Sequence, residues 1–160
     1  MKTTVLFTEK QYFRQWWLWL LITVLIGFIL YEIIIEKDFG TAKNPLELTP
    51  LLLLIPLIIG FWLINMKTEI TKEGIYISFY PLLLKPKFYS WEKIQSAQTK
   101  KYKFSEFGGW GIRLGAYNVS GNKGLELIFK DDTKLIIGTQ QPEKIQTVIN
   151  QIFTDVKTAN

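Results

Sequence analysis

Residues 16–31 read WWLWLLITVLIGFILY and residues 50–66 read PLLLLIPLIIGFWLINM, two apolar runs without a charged side chain. At about 1.5 Å of rise per residue, roughly 20 such residues cross a hydrocarbon layer of about 30 Å. Extending the first run over Glu32 to Ile35 gives it that reach. A chain of 160 residues has too small a core to hide both runs. The expectation is a two-helix transmembrane hairpin with spans at 16–35 and 50–66. They are preceded by a segment 1–15, joined by an external loop 36–49, and followed by a folded domain over 67–160.

Charge orients this hairpin. Lys2, Lys10 and Arg14 precede the first run, and Lys67 and Lys72 follow the second. Lys and Arg in short flanks stay on the cytoplasmic side, so both termini are expected in the cytoplasm of a bacterial inner membrane. Trp16, Trp17, Trp19 and Trp62 would then share the inner leaflet, where indole rings favour the interface. No small-x-small cleavage site follows Tyr31, which argues against a removable signal peptide. Thr49 and Pro50 suit a helix start, whereas Pro56 predicts a bend. Glu32 is the one ionisable group within the spans and falls near the outer interface.

From Thr68 onward short alternating runs replace the apolar ones. Ile75, Ile77 and Phe79 share one strand face, and Leu125, Leu127 and Phe129 share another. Strands are predicted over 68–71, 75–80, 88–91, 94–102, 111–114, 116–119, 125–130 and 134–139, with Asp131-Asp132-Thr133 as a turn. Pro142 opens a helix whose Ile145, Val148, Ile149 and Ile152 form one apolar stripe. Strands followed by one amphipathic helix indicate an α+β unit.

This order resembles that of a pleckstrin-homology-like domain, and the chain as a whole is similar to small bacterial two-transmembrane-helix proteins that carry one. The resemblance rests on Tyr89-Ser90-Trp91-Glu92-Lys93-Ile94, on the hairpin Leu125 to Thr139, and on the helix opened by Pro142-Glu143. The run Gly108-Gly109-Trp110-Gly111-Ile112-Arg113 is similar to a signature of one uncharacterised subgroup. The implied fold class is a membrane α+β protein: a transmembrane hairpin, then a PH-like β-barrel or curved antiparallel sheet closed by a C-terminal helix. The resemblance brings no catalytic residues with it.

The side-chain inventory narrows the chemistry. The chain contains no His and no Cys, which removes the usual base near neutral pH, thiol nucleophiles, disulfides and common zinc sites. No phosphate-binding loop of the Gly-x4-Gly-Lys-Ser/Thr form occurs, and the glycine run does not open a helix as a dinucleotide site would. The expectation is a non-enzymatic protein with no cofactor and no metal.

Two candidate surfaces follow. Lys85, Lys87, Lys93, Lys100, Lys101 and Lys103 face only Glu92 as an opposing charge in their window, and aromatic residues alternate with them. Such a cluster suits anionic lipid head groups; a solvated positive face accounts for it equally well. The second surface, Trp110, Arg113, Tyr117 and Asn118 in a glycine-rich segment, offers a flat ring and a planar guanidinium to a partner. Its glycines also fit the corners of a small barrel. The leading expectation is protein interaction or self-assembly at the membrane surface. Anionic-lipid recognition and a subunit of a small transporter or channel are the alternatives. Nucleic acid is not an expected partner.

Overall fold

The computed structural model describes residues 4–32, 34, 49–102, 111–113 and 115–158. The chain divides into two units, Arg14–Leu63 and the combination of Met1–Phe13 with Ile64–Asn160.

The first unit holds α1 (Trp16–Tyr31) and α2 (Thr49–Leu63). α1 coincides with the first apolar run, whereas α2 covers the expected span 50–66 only as far as Leu63, because Asn65 and Met66 already open a strand of the other unit; α2 continues through Pro56. The edge of the Trp19 ring meets Trp62 at 5.9 Å, so these two indoles pack helix on helix. The expected transmembrane hairpin is not supported. Among the described residues no helix is long and apolar enough to cross a membrane. With 16 and 15 residues, α1 and α2 reach about 24 and 22 Å, short of the roughly 30 Å hydrocarbon core. The multi-pass inner-membrane localisation fails with it. The proposed extension of the first span ends at Ile35, outside the described residues.

The second unit contains nine strands among its described residues: β1 (Val5–Tyr12), β2 (Asn65–Thr71), β3 (Gly74–Tyr80), β4 (Leu83–Ser90), β5 (Ile94–Lys101), β6 (Gly111–Arg113), β7 (Ala116–Asn118), β8 (Lys123–Phe129) and β9 (Lys134–Gly138). They form two sheets, ordered β1-β2-β3-β4 and β5-β8-β9-β7-β6. The single closed barrel or curved sheet of the sequence reading is thereby corrected as well. All pairings are antiparallel except β7 with β9.

Period-two alternation explains the core. Met66, Ile70, Ile75, Ile77 and Phe79 from the first sheet are buried in one cluster with Leu125, Leu127 and Ile137 from the second. The helix α3 (Pro142–Thr158) adds Ile145, Ile149 and Ile152 to the same cluster. Each such side chain contributes about 1.5–3 kcal/mol on burial.

β1 arises where the sequence reading placed no element. Its inward positions are Phe7, Glu9 and Gln11, all buried. The Glu9 carboxylate accepts the Thr139 hydroxyl at 2.6 Å and the Gln140 backbone N–H at 2.7 Å. Gln11 donates from Nε2 to the Gly138 carbonyl at 2.7 Å. Polar side chains therefore tie the first strand to the end of β9, and the helical unit is inserted between β1 and β2.

Candidate functional site

The turn Trp91–Lys93 is a single 3-10 turn between β4 and β5. Ser90 starts it, its hydroxyl accepting the Glu92 N–H at 3.3 Å, a side-chain cap of the usual kind. Trp91 is fixed from two directions. Its backbone N–H reaches the Glu73 carbonyl at 3.3 Å, and its indole N–H reaches the Thr71 carbonyl at 2.8 Å. The ring then presents an edge contact to Phe153 of α3, with centroids 5.9 Å apart.

Beside this turn lies a groove of about 780 Å³. Phe88, Trp91, Ile152 and Phe153 give it an apolar lining, while Lys72, Glu73, Glu92 and Lys130 supply charges of both signs. Phe88 is held against Tyr76 with ring centroids 4.6 Å apart and is still 46% exposed. A concave apolar surface with a few polar groups, of roughly 300–1,000 Å³, is the usual form of a binding pocket.

Of the six lysines of the sequence reading, the five described ones are distributed over β4, the 3-10 turn and β5. Lys85 and Lys87 flank Pro86 on β4, one of the two edge strands of its sheet. Lys87 lies opposite Ile77 in register, hence on the inward face, and its amine sits 5.8 Å from the centre of the Tyr117 ring. An inward charge and a proline on an edge strand block pairing with a second sheet, which accounts for these residues without a ligand. Lys93 ends the 3-10 turn and is exposed. Lys100 is paired with Glu126 at 2.5 Å, which partly neutralises its charge. Lys101 stands opposite Lys123 of β8. Lys103 lies outside the described residues.

The described members of the glycine-rich set lie on the paired strands β6 and β7. Trp110 is outside the described residues, and Arg113 holds a register position opposite Ala116 on β6. Tyr117 belongs to the core between the sheets; its hydroxyl is 3.1 Å from that of Tyr89. Burial and this contact raise the Tyr89 pKa well above the ordinary phenol value. Asn118, buried on the next position, points its Nδ2 to the Gly121 carbonyl at 3.4 Å. Tyr117 and Asn118 are thus structural parts of β7.

Among the described residues no group of three acidic, His or Cys side chains could hold a metal ion. At the hairpin tip, Asp131 accepts the Thr133 hydroxyl at 2.6 Å and its N–H at 3.1 Å. These bonds lower its pKa and commit the carboxylate to the turn.

The sequence places Phe88 and Trp91 among the aromatic residues interleaved with the lysines but does not point to Phe153. The signal for Phe153 was its place four residues after Ile149, on the flank of the apolar stripe. Compared with known proteins, the chain matches no family model, no curated protein and no solved structure.

Proposed function

We propose that this chain is a non-enzymatic interaction protein whose two-sheet unit docks a polypeptide segment in the groove beside Trp91. The supporting observation is the groove itself: an apolar lining, charged residues of both signs and a tryptophan whose N–H is already satisfied. A satisfied indole exposes a rigid apolar ring at low entropic cost, the pattern of interface hot spots.

A photoreactive phenylalanine analogue at Phe88 of the full chain tests the reading. The expected result is a discrete crosslinked polypeptide in cells, lost when Phe153 is replaced by Asp. An adduct of twice the chain mass would identify self-assembly, and one of another mass a different partner. Diffuse background unaffected by Phe153→Asp would rule the groove out.

A further inference from the structure

Lys123, on β8, lies outside the Trp91 groove. It pairs in register with Lys101, across β8 and β5. Like charges directly opposite in an antiparallel pair are destabilising, and Cα atoms of such partners are only about 5 Å apart. The edge-guard explanation that covers Lys85 and Lys87 extends to Lys101, since β5 is an edge strand of its sheet, but not to Lys123, because β8 lies between β5 and β9 in the interior. Both lysines are exposed, and neither is among the ion pairs of the described residues.

The two side chains line a hollow of about 170 Å³ together with Thr99, Lys100 and Pro142. No carboxylate lines it. Lys100 adds a third ammonium, partly neutralised by Glu126, and Thr99 is held in place by its hydroxyl and N–H bonds to Gln146 Oε1 at 2.9 and 2.7 Å. The space equals about five or six water volumes of roughly 30 Å³ each, enough for one tetrahedral oxyanion with part of its hydration. Lysine ammonium groups bind such anions as point charges with rotatable donors.

We infer that the hollow bounded by Lys100, Lys101 and Lys123 is a binding site for a phosphate group, either of a free phosphate ester or of a lipid head group. The anion removes the repulsion between the paired ammonium groups. This site is separate from the Trp91 groove and stands or falls independently of it.

The test uses the full chain with two probes. Glycerol 3-phosphate is titrated while backbone amide shifts of Lys101, Lys123 and Thr99 are followed. In parallel, co-flotation is measured with phosphatidylcholine vesicles and with vesicles containing phosphatidylglycerol. Binding to at least one probe is expected, weakening as salt rises and falling at least ten-fold in K101Q/K123Q. The variant K85Q/K87Q should bind like the unaltered chain. Shifts with glycerol 3-phosphate but no preference for anionic vesicles identify a soluble ester. The converse identifies a lipid head group. Thermal unfolding guards against a folding artefact: K101Q/K123Q should be at least as stable as the parent, since it loses only a repulsion. Indifference to both probes, or equal binding by K101Q/K123Q, overturns the inference.

Discussion

The Glu9 carboxylate and the Thr139 hydroxyl meet at 2.6 Å although 130 residues separate them in the chain. With the Gln140 N–H on its other oxygen, this carboxylate fastens β1 to the second sheet. Although the Thr139 oxygen still accepts the Gln141 N–H, Glu9→Ala would leave the Thr139 O–H and the Gln140 N–H without their acceptor, at a cost of about 1–3 kcal/mol. Glu9→Gln, which keeps one acceptor, should lose about half as much. Urea denaturation of the three proteins gives the comparison, and equal stability of all three would show that β1 is held by its ladder alone.

That contact also explains what the sequence did and did not reveal. Ile75, Ile77 and Phe79 alternate with polar neighbours, so β3 was legible, as were the hairpin of β8 with β9 and the stripe of α3. In β1 the inward set is Phe7, Glu9 and Gln11, two polar groups whose partners lie at the far end of the chain. Nothing local marks them as buried. Pro86 misled in the opposite direction: it reads as a strand breaker, yet on the edge strand β4 its missing N–H would have faced no partner. The groove is of a third kind, because Phe88, Trp91 and Phe153 become neighbours only through tertiary packing.

Trp91→Phe separates the indole N–H from the ring. The Thr71 carbonyl would lose its partner at 2.8 Å, while contact with Phe153 survives in part. The expected loss is about 1–2 kcal/mol of stability, read from denaturant midpoints. A drop well above that range would mean that ring size, rather than the hydrogen bond, anchors the turn.

If Lys85 and Lys87 guard the β4 edge, replacing both with Val should leave the folded unit within about 0.5 kcal/mol of the parent and promote association through that edge. Size-exclusion profiles over a concentration series distinguish the outcomes. A profile unchanged from the parent at every concentration would assign the lysines some other role.

Burial pushes the Tyr102 phenol up to about 12, above an ordinary value near 10. The folded protein therefore binds this proton more tightly than the unfolded chain. Stability from this group is complete below pH 10 and declines as pH rises toward 12. Tyr102→Phe should flatten the loss of stability over that interval, measured by urea midpoints between pH 9 and 11.5 (about one unit below to just short of the shifted value). An identical slope in the variant would show that other groups govern alkaline unfolding.

Gly74 lies opposite Ser90 where β3 meets β4. A Cβ there would collide with the Tyr89 carbonyl oxygen and stand within 2.6 Å of the Phe88 ring. The carbonyl belongs to the backbone and cannot swing aside, so Gly74→Ala has to push β4 outward or displace Phe88. Overpacking of this kind costs about 1–3 kcal/mol. Because Phe88 lines the groove, the same substitution should also suppress crosslinking from a neighbouring probe position such as Glu92. Loss of stability with crosslinking intact would place the partner elsewhere on the surface, since the two effects share one displaced ring.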